Sequence, residues 1–509
     1  MGRIRRDIRS GGRWNDHILW YAKAVGAMRE RPVADTTSWV FYAGVHGFDE
    51  QKYIGAGVIK PHEYDPSNPI YKAFEQCQHG GWYFPPWHRG YLWGIESVLG
   101  AWISDNGGPD DWGMPYWNYL DDTADALDVP TEFRDEKLPD GSDNPLANAN
   151  RGPATSAKAI YEDGREIIGD LNLKAQTNQT VYTSPPGAIA YGGPETDFLH
   201  GSGNFGALES NPHNLVHLMM GYRPSHEFGW MWDPDTAALD PIFWAHHCNI
   251  DRLWAAWMTF PGVQMESDAK FLKGPARRGF TVPNPKGDLV GFIPEQFLPG
   301  GDLEPQYDDL SHGTGTGMGK GPGDVAAVAS ASRPQGPGSA GEMDTSSDAA
   351  MMAPMATQSA TPMSELLAAH PVQSSIGTDG VVAHLDVPQV EGIAMAKADA
   401  PPPRIYVNAE GIRGEAASIT LRMSVFADDD ADNPLAEAVV PIFGLAMSSR
   451  DGAHGQNGAN ATIEVTDELR AAGYDTVSDL RKLRVHVSLP KDFGSEVTID
   501  KVSLYAANI

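Results

Sequence analysis

Sixteen histidines are spread unevenly over this 509-residue chain, and several stand where an imidazole ring can hold a metal ion. Both cysteines sit beside histidine. Cys77 comes two places before His79 in "CQHGGWYFPPWH", which ends at His88, and Cys248 directly follows His246 and His247 in "DPIFWAHHCNIDRLW". His213 and His217 are four apart in "NPHNLVHLMMG", so on a helix their rings leave one face. His46 ends the apolar segment "DTTSWVFYAGVHG". The His-His pair shares its segment with Phe243, Trp244, Leu253, Trp254 and Trp257, and a buried imidazole there needs a partner. Any one of these rings can be an ordinary core histidine. So many on apolar segments together point to metal. The motif is not H-E-x-x-H, because Asn214 stands where the glutamate would be, so a zinc-protease reading loses its general base. No carboxylate set of the di-iron kind is evident. Imidazole suits zinc, copper, iron and nickel. Three neutral ligands per ion suit copper cycling between its two oxidation states, and the spacing by itself leaves zinc open.

Helices must position these rings. In "NDHILWYAKAVGAMRERP" Ile18, Tyr21, Val25 and Met28 recur at helical spacing, with Pro32 near the end. Pro85 and Pro86 suit the first turn of a helix over "PPWHRGYLWGIESVLGAWI", with Leu92, Ile95, Leu99 and Trp102 on one face. A short helix is expected with Asn211 as cap, Pro212 at its first position and Gly221 at its end. Asp240 and Pro241 open another that carries the His-His pair. Long loops fill 140–157 and 183–206. From about Ser311 the composition shifts to Gly, Ala, Ser and Pro with Met351, Met352, Met355 and Met363, which predicts a linker over 311–384. Six short β-branched stretches follow, and they predict an all-β sandwich over 385–509. The histidine-bearing part is then 1–310.

A net charge of −29 argues against nucleic acid or an anionic membrane as partner. No run reaches the roughly 18 apolar residues of a membrane span. The basic N-terminus, with Arg5 and Arg6, lacks the apolar stretch of a secretory or twin-arginine signal. Two cysteines make no disulfide framework. The expected location is cytoplasmic, with export alongside a partner left open. The oligomeric state is unknown from sequence.

"HGGWYFPPWHRGYLWGIES" and "NPHNLVH", followed by "DPIFWAHHCNIDRLWAAW", resemble the two copper signatures of the type 3 copper proteins, the family of tyrosinase, catechol oxidase and haemocyanin. The resemblance covers about 14–310. It implies a mainly α domain whose central four-helix bundle holds two copper ions. His46, His79 and His88 would bind the first and His213, His217 and His247 the second, with His246 a neighbour. Cys77 resembles the fungal and molluscan cysteine joined by a thioether to the second ligand, here His79. The implied chemistry uses O2 to oxidise o-diphenols to o-quinones and to hydroxylate monophenols. Glu209 and Asn214 match the plant-type pair that holds a proton-accepting water. The β domain resembles that of latent forms, with Phe443 or Met447 over the coppers. Tyr307 resembles the tyrosine that closes the catalytic domain, and Trp230, Met231 and Trp232 would wall the entrance. Asp251 would support a ring or pair with an arginine such as Arg252. An o-aminophenol oxidase and a haemocyanin-like O2 carrier are the alternatives.

Overall fold

The computed structural model describes residues 3–311, 363–388, 403–450 and 458–509, apart from 202, 226, 429 and 431. Met351, Met352 and Met355 lie outside them. The chain builds a helical domain first and a β sandwich second. In the helical domain five helices matter for the site: α1 (Asp16–Arg29), α2 (Trp39–His46), α3 (Phe84–Asp105), α4 (Leu215–Gly221) and α5 (Pro241–Trp257). Four of them, α2 to α5, surround the histidines. Their starts follow local chemistry. Asn15 caps α1 by accepting from the His17 and Ile18 amides, and Ser38 caps α2 through the Phe41 amide. Asp240 caps α5 through the Ile242 amide, and Pro241 takes the first helical position. Almost every residue of α5 is buried, so it is a core helix rather than an amphipathic surface one. No described helix is long and apolar enough to cross a membrane.

The short helix differs from its expected start. Asn211 is extended (φ −147°, ψ 117°) and interrupts the turn over Glu209–Asn214. Its side chain does not cap the helix but bridges to another loop, accepting from the Asn172 amide at 3.2 Å and donating to the Asp170 carbonyl. Regular α-helix begins only at Leu215. Gly221 does end it: a Cβ there would stand 2.2 Å from the Trp232 amide nitrogen.

Eight strands form the sandwich: β1 (Met363–Ile376), β2 (Val381–Asp386), β3 (Arg404–Gly414), β4 (Ser418–Ala427), β5 (Ala436–Phe443), β6 (Ala459–Glu464), β7 (Lys482–Ser488) and β8 (Val497–Asn508). One sheet has the order β5-β4-β7-β2 and the other β6-β3-β8-β1. All pairings are antiparallel. Among the described residues the sandwich therefore starts at Met363, not 385, and the stretch assigned to a linker over 311–384 holds its first strand and most of its second. The sequence signal failed because β1 is an edge strand: Met363 and Leu366 are exposed and Pro371 breaks the alternation.

A buried ion network ties the helical domain together. The Arg5 guanidinium is 3.0 Å from Glu96 and 2.8 Å from Asp251, and Asp251 also pairs with Arg89 and accepts from the Tyr307 hydroxyl. Asp251 thus ties Arg5, Tyr307 and α3 together, through Arg5 and Arg89 where Arg252 was the expected partner. A two-residue strand at Ile4–Arg5 pairs with Gln306–Tyr307, so Tyr307 does close the helical domain against its own beginning.

Candidate metal centre

Seven imidazoles converge in the middle of the bundle, all of them buried. His46 comes from the last turn of α2, His79 from the loop before α3, and His88 from the first turns of α3. His213 comes from the interrupted turn before α4, His217 from α4, and His246 and His247 from α5. Their nitrogens fall into two groups. His46, Cys77, His79 and His88 form one, and His213, His217, His246 and His247 the other, with donor atoms in each group within 4.8 Å of one another. The groups face each other: the His88 and His247 rings stack with centroids 4.4 Å apart at 10°, and His79 lies 5.6 Å from His213.

Backbone carbonyls set the orientation of three rings. His46 Nδ1 lies 3.0 Å from the Pro234 carbonyl, His88 Nδ1 2.8 Å from that of Phe84, and His217 Nδ1 3.0 Å from that of Met231. A carbonyl only accepts, so each Nδ1 carries the hydrogen and each Nε2 keeps a lone pair directed inward. Asn214 Oδ1 plays the same part for His213 at 2.9 Å, and His213 Nε2 has no protein partner. His217 Nε2 and His247 Nε2 stand 3.3 Å apart. Burial pulls the pKa of His46 and His213 down to about 3, and that of His79, His88, His217 and His247 well below the usual value. The rings are neutral and their inward nitrogens are bare, which is the state a metal ion needs. Two sets of soft-to-intermediate nitrogen donors with no carboxylate among them fit a pair of copper ions.

Around the rings the remaining candidates take definite places. Cys77 Sγ is 3.1 Å from His46 Nε2, and 3.4 and 3.3 Å from the two ring nitrogens of His79. Burial raises its thiol pKa. The Glu209 carboxylate is fully buried and accepts from the Gly80 amide with both oxygens at 3.0 Å, next to His79. Burial raises its pKa, and only the Gly80 bond opposes this. Asn214 leaves its amide nitrogen unpartnered. Phe443, at the end of β5, lies over the centre: its ring stacks on His217 at 4.2 Å and stands 5.4 Å from His79 and 5.8 Å from His213. Met447 instead packs on Gly201 of the long loop. Cys248 is buried against the Met114 carbonyl. The aromatic wall is only partly as expected. Met231 serves through its carbonyl, while Trp232 stacks on Phe228 at 4.2 Å and accepts from Ser418 of the sandwich, so it belongs to the domain interface.

Some positions gave no usable signal in the sequence. His200 Nδ1 holds the Cys77 carbonyl at 2.9 Å, and Gln78 accepts from the Leu199 amide, so the loop 183–206 braces the segment that carries Cys77 and His79. Lys52 bridges Asp233 and Asp235 at 2.7 and 2.6 Å, fixing the turn whose Pro234 carbonyl orients His46. These contacts run between loops far apart in the chain, and no spacing rule reaches them.

Residues 36–259 match the family model described as the common central domain of tyrosinase, and 359–507 match a domain of unknown function. A tyrosinase of Hahella is 35% identical over 263 residues, covering 49% of this chain and 52% of that protein. A polyphenol oxidase of Malus domestica is 29% identical over 297 residues, covering 57% and 46%. The chain thus spans about half the length of these curated relatives. In fold, the latent apple tyrosinase structure aligns over 99% of this chain and 97% of its own with a TM-score of 0.60 at 22% identity. The expected cytoplasmic location does not stand: the polyphenol oxidases of Malus domestica, Vicia faba and Vitis vinifera are named chloroplastic, so this kinship carries no cytoplasmic address. Residues 36–259, the stretch that matches the common central domain of tyrosinase, carry every imidazole of both groups.

Proposed function

We propose that this chain is a dicopper oxidase that uses O2 to oxidise o-diphenols to o-quinones, hydroxylates monophenols ortho to the hydroxyl, and is held latent by its sandwich domain. One observation carries the reading: two groups of buried, neutral imidazoles face each other inside a tyrosinase central domain. His46, His79 and His88 would hold one copper, and His213, His217 and His247 the other. The copper pair, when bound, supplies dioxygen activation and the electron equivalents of the reaction.

The rest falls to side chains. A phenol has a pKa near 10, so its hydroxylation needs a base. Glu209 is that base. Burial gives its carboxylate a raised affinity for protons, and the unpartnered Asn214 amide nitrogen holds the water that carries the proton across. Phe443 occupies the place of a substrate ring, face to face with His217. Cys77 is set for a thioether to His79, because its sulfur is nearly equidistant from the two ring nitrogens that flank the Cε1 carbon. Joining sulfur to that carbon releases two protons and two electrons, and dioxygen takes the electrons.

The test is metal analysis of the full chain, then oxygen uptake with a diphenol and a monophenol, before and after cleavage at a protease site inserted between 311 and 363. Two copper ions per chain and quinone formation that rises on cleavage are expected. A single zinc ion, or reversible O2 binding without quinone, would sink the proposal.

A further inference from the structure

The six proposed ligands leave one ring of the second group unaccounted for. His246 is fully buried, and its ring lies 5.4 Å from His213 at 22° and 5.0 Å from His217. Its Nδ1 is 3.0 Å from the Tyr119 hydroxyl. Its Nε2 has no hydrogen-bond partner among the described residues. A buried polar atom left without a partner costs about 1–3 kcal/mol, so a ligand that satisfies it would offset a real penalty.

The Tyr119 hydroxyl decides which nitrogen bears the hydrogen. Burial keeps that hydroxyl protonated, and its hydrogen has no acceptor among the described residues other than His246 Nδ1, so Tyr119 donates there. A neutral imidazole that accepts at Nδ1 holds its hydrogen on Nε2. This is the reverse of His46, His88 and His217, where a carbonyl holds the hydrogen on Nδ1. His246 therefore turns an N–H, not a lone pair, toward the second group.

We propose that His246 donates a hydrogen bond to the small oxygen or anionic ligand held at the second copper, that the Tyr119 hydroxyl orients it, and that it is not itself a copper ligand. This rests on the dicopper reading. Tyr119 acts through His246 and is a positioning residue.

The test uses the full-length copper-loaded protein, its copper content, and titration with azide followed by the azide-to-copper absorption band. His246→Phe should keep two copper ions per chain and bind azide about tenfold more weakly, the size of one hydrogen bond. Tyr119→Phe should keep both ions and weaken azide several-fold, because the His246 hydrogen is then free to move to Nδ1. Loss of one copper from His246→Phe would make His246 a ligand and overturn the proposal. Unchanged azide affinity in Tyr119→Phe would also overturn it, and that variant, which loses a single oxygen, decides the matter if His246→Phe does not fold. Wild-type protein with fewer than two copper ions overturns the dicopper reading and this inference together. Two ions in the wild type with indifferent variants overturns this inference alone.

Discussion

Single buried groups set much of the behaviour expected here. The Glu209 carboxylate is buried and accepts from the Gly80 amide. Replacing it with glutamine keeps the shape and removes the proposed base. Monophenol hydroxylation should fall about 100-fold, at the low end for a general base, while diphenol oxidation stays within a few-fold. The ratio of the two initial rates checks this. His17 offers a second case, remote from copper. It stacks on Trp112 at 5.5 Å, and burial lowers its pKa to about 4. The neutral ring is the native form, so its contribution is complete above the unfolded pKa near 6.5 and is lost as pH falls from there toward about 4. The stability difference between wild type and His17→Phe should narrow across that window by up to about 1 kcal/mol per pH unit. Urea unfolding at pH 7 and pH 5 measures it. The sequence made the metal groups legible because imidazole on an apolar segment is costly and therefore informative. It did not reveal His200 or Lys52, whose roles depend on which distant carbonyl or carboxylate they meet.

Three helices were legible in the sequence: α1 from its periodic apolar face, α3 from the two prolines in its first turn, and α5 from its Asp-Pro start. The start of α4 was not, because the residue chosen as its cap is used to bridge two loops. The first two strands of the sandwich were not, because they lie at sheet edges, where exposed Leu366 and Val382 and the proline Pro371 blur the alternation of a half-buried strand. Among these elements α5 has the most concentrated support. Asp240 caps it and also forms a two-pronged pair with Arg151, at 2.5 and 2.9 Å, where both side chains are buried. Asp240→Ala removes the cap and leaves a guanidinium uncompensated in the interior. Breaking such a pair costs about 3–5 kcal/mol, well above the roughly 1 kcal/mol of a cap alone. A large drop in thermal midpoint is expected, with weaker copper retention because His247 rides on this helix. Asp240→Asn should recover the cap and little of the pairing energy, which separates the two contributions.

The two domains meet over the metal centre, and the interface is polar at its rim and aromatic in its middle. At the rim the Lys491 ammonium reaches Glu162 at 3.1 Å, the Tyr222 hydroxyl at 3.0 Å and the Pro224 carbonyl at 2.8 Å. Ser418 and Thr420 of β4 donate to the Trp232 and Ile167 carbonyls. In the middle Phe443 covers His217. Two substitutions should relieve latency by different routes. Lys491→Ala removes a clamp without touching the plug, so it acts only by letting the sandwich move away. Its gain in diphenol oxidation should be modest, about two- to five-fold, since partly exposed ion pairs hold only about 1 kcal/mol. Phe443→Ala removes the ring over His217 and leaves the Lys491 contacts. It opens a ring-sized space beside His217 while the sandwich stays in place, so a small catechol should react and a bulky diphenol should not. Steady-state rates with both substrates, in uncut protein, give the comparison. If Phe443→Ala gains equally with both, the sandwich is leaving rather than being bypassed. If it gains with neither, Phe443 is not what holds substrate out.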